Sequence, residues 1–210
     1  PYALPALRNG QRMGNSQALD LMVYDGLTDP YSGRHMGEVA EVRVDVHEFS
    51  REEQDAYAIR SYQRAQRALQ DGVLAEEIVP VIKSTRKGEV TVSEDEEPSR
   101  INFDRISSLR PAFKKDGSIT AANASTINDG ASFLLLASAD AVQRHGLKPR
   151  ARIVGLSTNS LHPDLFPDAP VGAIEKACAH AGLQPEDIGL FEINEAFAMV
   201  TLIAIKDLGL

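Results

Sequence analysis

The second half of the chain constrains the fold most, because apolar runs typical of strands alternate there with capped segments typical of helices. The predicted strands are residues 133–137, 152–156 and 188–193, and the predicted helices are residues 139–145, 171–181 and about 195–208. Ser138 and Gly146 bound the first helix, and Pro170 and Gly182 bound the second. This alternation predicts a layered α/β core whose strands pair mostly in parallel.

The last predicted helix is apolar nearly all round, so it must be covered on every side. Only Gly209 and Leu210 follow it, and we expect four side chains to stay exposed, namely Val200, Leu202, Ile203 and Ile205. The sequence also begins with Pro1 and no methionine. We therefore expect a piece of a longer protein that does not reach its native fold alone.

A helix over residues 51–71 is the clearest local prediction in the first half. Ser50 and Glu53 have the spacing of a capping box, and Gly72 suits the left-handed residue just past the helix end. Short or edge strands are predicted over residues 78–82 and 89–92.

Three other segments of the first half are less regular. The first thirty-odd residues are interrupted by Gly and Pro and predict a long ordered loop. The acidic run Glu94–Glu97 predicts a solvated loop. Valines alternate with charged residues over 42–46, which favours a strand, although the family resemblance described below requires a helix there.

Charge and cysteine content exclude several classes of function. The 210 residues carry a net charge of −8, which argues against non-specific nucleic-acid binding. The single cysteine, Cys178, excludes an internal disulfide. It lies two residues from His180 on a predicted helix, so the two side chains point apart and Cys178 is predicted to be a buried apolar residue. No apolar run reaches the roughly 18 residues of a membrane span.

Two strings of small residues and one basic stretch are candidates for a binding site. Residues 120–130, T-A-A-N-A-S-T-I-N-D-G, would let the backbone approach a ligand closely, and residues 194–198, N-E-A-F-A, lie where a predicted strand meets a helix. The alternative to a binding site is that these strings are only a tight connection and a capped helix start. Residues 98–118 carry five basic and two acidic side chains, which indicates either a seat for a phosphate-bearing ligand or a solvated basic face.

Taken together, several strings resemble those of the thiolase family in order and roughly in spacing. They are V-x-D-G-L-T-D at 23–29, H-M-G at 35–37, E-E-Q-D-A-Y-A at 52–58, P-A-F at 111–113, T-A-A-N-A-S at 120–125, N-D-G-A at 128–131 and N-E-A-F-A at 194–198. The resemblance covers nearly the whole chain. It implies an incomplete thiolase-like layered α/β/α core with an inserted α+β loop domain.

The resemblance also implies a division into domains and an activity. The loop domain, which binds coenzyme A, would occupy residues 1–127, the end of the N-terminal core residues 128–149, and the first part of the C-terminal core residues 150–210. The family joins or cleaves 3-ketoacyl-CoA. Its nucleophilic cysteine, its G-H-P histidine and its second cysteine would all lie outside this chain, so we expect the chain alone to be inactive.

Individual residues acquire expected roles from the same resemblance. Asn194 would hold the water of an oxyanion hole. The residues expected to bind substrate or coenzyme A are His35, Met36, Arg100, Ile101, Asn102, Arg105, Ala112, Phe113, Ala121, Ser125, Ala196 and Phe197. A potassium ion would lie among the carbonyl groups of Ala121, Ala122 and Ala124 beside the Tyr62 hydroxyl, because a hard cation prefers oxygen ligands.

His35, Met36 and the alanines at 122 and 124 resemble the short-chain acetoacetyl-CoA thiolases. The implied reaction is the reversible condensation of two acetyl-CoA to acetoacetyl-CoA and coenzyme A. A thiolase of broader chain length and a non-catalytic CoA-binding homologue are the alternatives. The resemblance further implies a homotetramer in the cytoplasm or mitochondrial matrix, with acyl-CoA partners, no nucleic-acid or membrane partner and no tightly bound cofactor.

Overall fold

The computed structural model describes residues 1–4, 10–11 and 13–210. The helices are α1 (Met36–His47), α2 (Arg51–Gln70), α3 (Glu97–Arg100), α4 (Ala139–His145), α5 (Ala169–Ala181) and α6 (Ala198–Leu208). The strands are β1 (Tyr2–Ala3), β2 (Leu19–Asp20), β3 (Val81–Thr85) and β4 (Gly88–Val92). Short 3₁₀ helices occupy Phe103–Ser108, Pro163–Asp168 and Pro185–Asp187, and a π-helical turn occupies Met22–Gly26.

Side-chain caps set the starts of α1 and α2. Ser50 accepts a hydrogen bond from the Glu53 amide, and the Glu53 carboxylate accepts one from the Ser50 amide, which confirms the predicted capping box. His35 caps α1 in a similar way, with Glu38 accepting from the His35 amide. Each cap satisfies amides that the first helical turn leaves without partners.

The valine alternation over residues 42–46 favours a strand, but these residues lie inside α1, as the family resemblance implies. Ala40 and Val44 are one helical turn apart and are buried, whereas Val42 and Val46 face solvent. Valine favours strands only weakly, and burial of one helix face outweighs that preference here.

Strands β3 and β4 form an exposed antiparallel hairpin in which Thr85 lies opposite Gly88. The prediction for 89–92 is confirmed within one residue. The prediction for 78–82 lies too early, because the strand begins only after Pro80, which cannot donate a backbone hydrogen bond. At the N-terminus, β1 pairs with β2 within the segment expected to be a loop.

The core forms where α6 meets α1, α2, α5 and the 163–168 segment. Its members are Ala40, Val44, Ile119, Phe197, Met199, Val200 and Ile203. The expectation that α6 is exposed is therefore wrong: Val200 and Ile203 are buried, and Leu202 and Ile205 are half-buried. Elements that precede α6 in the chain supply its cover, which sequence order alone cannot reveal.

The three predicted strands of the second half are not strands in this structure. Among the described residues, the only sheets are the two antiparallel pairs β1–β2 and β3–β4, so the predicted parallel pairing is absent. A strand needs a neighbouring strand to take its backbone hydrogen bonds, and the described residues place no such neighbour beside these segments. The Phe133 side chain is 91% exposed and that of Leu135 is 75% exposed.

The helices between those segments form where they are predicted. Helix α4 has the predicted bounds, with Ser138 accepting from the Ala141 amide and Gly146 in the left-handed conformation. Helix α5 begins two residues early, and α6 begins three residues late. Nowhere in the described part of the chain is a helix both long and apolar enough to cross a membrane.

Candidate functional site

The strings T-A-A-N-A-S and N-E-A-F-A are joined by their backbones, although about seventy residues separate them. Ala124 and Phe197 form an isolated antiparallel bridge. The Ser125 amide donates to the Ala196 carbonyl at 3.0 Å, and the Ala198 amide donates to the Asn123 carbonyl at 2.8 Å. The structure thus brings the two candidate strings into one site.

Asn123 anchors the first string to α2. Its side-chain amide group donates to Asp55 Oδ1 at 3.0 Å and to the Ser118 carbonyl, and its oxygen accepts from the Thr120 amide. Asp55 in turn accepts from Arg51 Nε at 2.7 Å. Asn123 is only 3% exposed, and a buried side-chain amide must find partners for its donors and acceptor.

Glu195 anchors the second string to the same helix. The Tyr57 hydroxyl donates to Glu195 Oε1 at 2.9 Å, and the Ser61 hydroxyl donates to Glu195 Oε2 at 2.8 Å. Tyr57 and Ser61 lie one helical turn apart, so both face the loop that precedes α6. Burial and the neighbouring Glu195 carboxylate raise the pKa of Tyr57 above its usual value, so Tyr57 keeps its proton and donates.

Glu41 of α1 holds the segment that leads into the first string. Its buried carboxylate accepts from the amides of Ser118 and Ile119 at 2.9 to 3.1 Å. Gly117 passes so close that a Cβ there would lie 2.2 Å from Glu41 Oε1. On the other side, Gln54 of α2 donates to the Ser118 hydroxyl at 2.8 Å.

Three aromatic rings form a wall beside the joined strings. The His35 ring stacks on Phe113 with centroids 4.9 Å apart, and Phe113 meets Phe197 edge-on at 5.9 Å. Gly37 is required beneath the stack, because a Cβ at this position would lie 2.3 Å from the Phe113 ring. The Gly37 amide donates to His35 Nδ1, so that nitrogen carries no proton. Met36 is half-buried next to this wall, and Ala112 is exposed.

An open cleft of about 370 Å³ lies where α2 faces the two strings. Ser125 and Asn194 both line it, and Asn194 is exposed. A second hollow of about 350 Å³ lies on the other side of Asn194, against α5 and α6. Asn194 therefore projects between two concave surfaces.

The expected potassium ligands fall partly on the same cleft. Tyr62, Ala122 and Ala124 line it, whereas Ala121 is exposed outside its lining. Burial raises the pKa of Tyr62, and the Glu97 carboxylate adds to the increase. Within the described ranges, no group of three or more His, Cys, Asp or Glu side chains could hold a metal ion.

The basic stretch begins at the rim of the cleft. Pro98 lines the cleft, and Arg100 two residues later is exposed and pairs with Glu96 at 2.7 Å. Ile101 is half-buried, and Asn102 and Arg105 are exposed. The acidic run 94–97 is solvated up to Glu96, as predicted, but Glu97 is half-buried at the start of α3. Both arginines are therefore accessible to solvent, with Arg100 held in an ion pair by Glu96.

A charged clasp ties the second half of the chain to α1. Asp168 accepts from Arg43 Nε and Nη2 at 2.8 and 2.7 Å, and His47 Nε2 lies 2.7 Å from Asp168 Oδ1. Burial raises the pKa of Asp168, but the bonds from Arg43 and His47 outweigh it and hold the pKa below its ordinary value. The Lys206 ammonium group adds a bond from α6 to the His47 carbonyl.

Sequence reasoning missed the anchors of the site. The sequence predicts no role for Glu41, and it marks Asp55, Tyr57 and Glu195 only as members of family strings. Glu41 carries the clearest signal, since it is a charged residue on a face of α1 that otherwise buries small and apolar residues. The prediction for Cys178 is confirmed, because it is buried in α5 with 7% of its surface exposed.

Comparison with known proteins identifies the family. The family model "Thiolase, N-terminal domain" matches residues 1–140, and "Thiolase, C-terminal domain" matches residues 147–210. An acetyl-CoA acetyltransferase of Schizosaccharomyces pombe is 45% identical over 212 aligned residues, which cover 100% of this chain and 54% of that protein. A mitochondrial acetyl-CoA acetyltransferase of Xenopus laevis is also 45% identical and is covered to 50%. The chain thus spans about half the length of the curated relatives it matches.

Solved structures agree with this assignment. The acetyl-CoA acetyltransferase of Bacillus anthracis superposes with a TM-score of 0.95 at 42% identity, covering 100% of this chain and 53% of that one. A thiolase from Ascaris suum in complex with coenzyme A superposes with a TM-score of 0.92, also at 42% identity and 53% coverage of that chain. The structure therefore has a partial α/β thiolase-like fold, and the chain belongs to the thiolase family.

Proposed function

We propose that the protein carrying this chain is a short-chain thiolase that condenses two acetyl-CoA reversibly to acetoacetyl-CoA and coenzyme A. The observation that carries the proposal is the backbone pairing of residues 123–125 with residues 196–198, which puts Ser125 and Asn194 on one cleft. The names of the relatives support an acyltransferase of this class.

The chemistry needs an acyl acceptor and a group that moves a proton. A cysteine thiolate takes the acetyl group from the first acetyl-CoA and releases coenzyme A. The second acetyl-CoA loses an α-proton to a base, and its carbanion attacks the acetyl-cysteine carbonyl, which forms the C–C bond and returns the thiolate. Cys178 is buried inside α5 and does not suit the role of the nucleophile. The resemblance to thiolases implies that the nucleophile, the G-H-P histidine and the second cysteine belong to polypeptide outside these 210 residues.

Asn194 stabilises the negative charge that develops on the thioester oxygen. Its amide holds a water that faces this oxygen, and such a preorganised donor acts most strongly where charge appears in the transition state. The exposure of Asn194 between two hollows supports this role.

His35, Met36, Phe113 and Phe197 shape the acyl pocket. The stacked rings leave a tight apolar wall, which favours an acetyl or acetoacetyl group over a long chain. Ala112, Ala121 and Ala196 offer small surfaces to the rest of the substrate.

Coenzyme A lies along the rim of the cleft in this proposal. Arg100, Ile101, Asn102 and Arg105 surround the nucleotide, and Ser125 contacts the pantetheine. Arg100→Ala should weaken coenzyme A binding by about 1 to 3 kcal/mol, because a guanidinium–phosphate bond is lost. Titration calorimetry measures this, with Arg86→Ala in the exposed hairpin turn as a control of equal charge. Equal affinities of the two variants would remove Arg100 from the site.

Potassium is a companion proposal. Oxygen atoms of Ala121, Ala122, Ala124 and Tyr62 would hold the ion. Four carboxylates line the same cleft and favour a cation, namely Asp95, Glu97, Glu192 and Glu195. Activity should then be higher in potassium buffer than in sodium buffer of equal ionic strength. Equal activities would contradict a potassium site.

The division into a loop domain (1–127), the end of the N-terminal core (128–149) and part of the C-terminal core (150–210) belongs to the same proposal. So do a homotetramer of the complete protein and a location in the cytoplasm or mitochondrial matrix. Analytical ultracentrifugation of the complete protein tests the oligomeric state.

The decisive test is thiolysis of acetoacetyl-CoA by the complete protein. Asn194→Ala should lower kcat about 100-fold, the typical effect of losing one oxyanion donor. Binding of coenzyme A without any turnover would identify a non-catalytic homologue. Faster cleavage of 3-ketohexadecanoyl-CoA than of acetoacetyl-CoA would identify a thiolase of broader chain length. The 210 residues assayed alone should show no turnover.

A further inference from the structure

We propose that Glu195 is a positioning residue that sets the orientation of Asn194 through its two bonds to α2. This inference rests on the proposed function, in which Asn194 acts on the developing oxyanion. It adds a residue to the site that motif reasoning left without a role.

The geometry of the loop before α6 carries the proposal. Ala196 and Ala198 are fixed by backbone bonds to residues 123–125, and Glu195 is fixed by its side chain to Tyr57 and Ser61. Asn194 directly precedes Glu195 in the chain and is exposed. Glu195 is therefore the anchor adjacent to the residue that faces the cleft.

A carboxylate suits this anchor better than other side chains. It has two oxygens that only accept, so each can take the proton of one hydroxyl group. A glutamine would have to donate from its amide to one of the hydroxyls, which would then need another acceptor. A shorter aspartate would not span from the loop to both hydroxyl groups at their present distances of 2.9 and 2.8 Å.

The anchor is itself rigid. Tyr57 lies on α2 and is only 9% exposed. The start of α2 is capped, and Asp55 of the same helix accepts a hydrogen bond from Asn123, which fixes the position of α2 relative to the first string. Both strings of the site are thus fixed to one helix within two turns. A displacement of about 1 Å at a catalytic group can cost about 100-fold in rate, so small losses of this anchoring should be measurable.

The first experiment compares kinetic constants in the complete protein. Glu195→Ala should lower kcat about 10- to 100-fold while the KM for coenzyme A stays within about twofold, because the binding residues at the rim are untouched. Tyr57→Phe and Ser61→Ala, which each remove one bond, should lower kcat by smaller factors. Glu195→Gln should recover part of the rate.

Ser138→Ala is the matched control. It also removes one side-chain hydrogen bond, but at the cap of α4, outside the lining of the cleft. Its kcat should equal that of the wild-type protein. If Glu195→Ala lowers kcat no more than Ser138→Ala does, the positioning role is wrong.

A double variant separates positioning from an independent role. If Glu195 acts only through Asn194, the variant Asn194→Ala/Glu195→Ala should be no slower than Asn194→Ala alone. Losses in kcat that multiply would overturn the proposal and would assign Glu195 a separate role.

Hydrogen–deuterium exchange tests the same inference without catalysis. Amides of residues 193–196 should exchange faster in Glu195→Ala and in Tyr57→Phe than in the wild-type chain, and Ser138→Ala should not change them. Unchanged exchange in both variants would overturn the positioning role. Absent thiolysis in the wild-type protein with the expected exchange would instead overturn the proposed function and leave the anchor in place.

Discussion

Two regions of the molecule differ sharply in how they are held. The interlocked core, which consists of α1, α2, α6 and residues 117–125, is bonded by buried side chains and paired backbones. The open segments, residues 131–137, 150–156 and 188–191, lie outside helices and strands and are largely exposed. Helix α6 and the open segments are both apolar in sequence, so apolar character alone does not decide which of them is covered.

The difference lies in where backbone hydrogen bonds find partners. A helix satisfies them internally and needs only a face to bury, which α6 finds on elements earlier in the chain. A strand needs another strand beside it. We therefore expect the interlocked core to fold within these 210 residues and the open segments to promote self-association.

The largest expected effect comes from a substitution inside the core. Ile203→Ala should lower the free energy of unfolding of the 210-residue chain by about 2 to 5 kcal/mol, because it leaves a cavity at a side chain that is 0% exposed. Leu135→Ala, at 75% exposure, should change it by no more than about 0.5 kcal/mol. Urea denaturation measures both, and equal effects would contradict the division into two regions.

The substitution Leu135→Ala also tests whether the open segments are covered in the complete protein. If further polypeptide covers the open segments, Leu135→Ala should there lower the free energy of unfolding by about 2 to 4 kcal/mol. Denaturation of the complete protein, with and without the substitution, tests this. A loss as small as in the 210-residue chain would mean that these segments stay open.

The clasp between the two halves gives a smaller, pH-dependent effect. Asp168→Asn should lower the free energy of unfolding by about 1 to 3 kcal/mol at neutral pH, because Arg43 and His47 lose their shared partner. The pKa of Asp168 is lower in the folded state, so its stabilisation is present above the ordinary carboxyl pKa and is lost as the pH falls through the lowered value.

The gap in stability between wild type and Asp168→Asn should therefore stay constant down to about pH 5 and shrink as the pH falls below the ordinary carboxyl pKa of 3.8. Asp164→Asn is the control, since the Arg34–Asp164 pair is half-exposed and should contribute no more than about 1 kcal/mol. A gap that stays constant down to pH 3 would mean that the Asp168 carboxylate is not stabilised by the clasp.

The smallest expected effect comes from removing the same kind of helix cap, a serine, once in the interlocked core and once outside it. Ser50→Ala, at the cap of α2, should cost about 1 to 2 kcal/mol, whereas Ser138→Ala, at the cap of α4, should cost no more than about 0.5 kcal/mol. The reason is that α4 buries no residue and can fray without exposing the core. Thermal denaturation of both variants tests the difference, and equal shifts would show that α4 unfolds together with the core.

Much of the candidate site could be predicted from the sequence because its strings are contiguous. The sequence marks residues 120–125 and 194–198 as two separate candidate strings, and the structure joins them through Ala124 and Phe197. The anchors could not be predicted in the same way. The Tyr57–Glu195 bond spans 138 residues, and no periodicity links such distant positions.

The sequence by itself determined the local features: the capping box of Ser50 and Glu53, the cap at Ser138, the left-handed glycines 146 and 182, and the strings that identify the family. Each depends on residues within a few positions of one another, so their physics is complete in a short segment. Only the tertiary structure decided that residues 42–46 are helical, that α6 is covered and that residues 133–137 form no strand. These outcomes depend on which distant segment lies alongside, and that contact is what supplies the burial or the backbone partner.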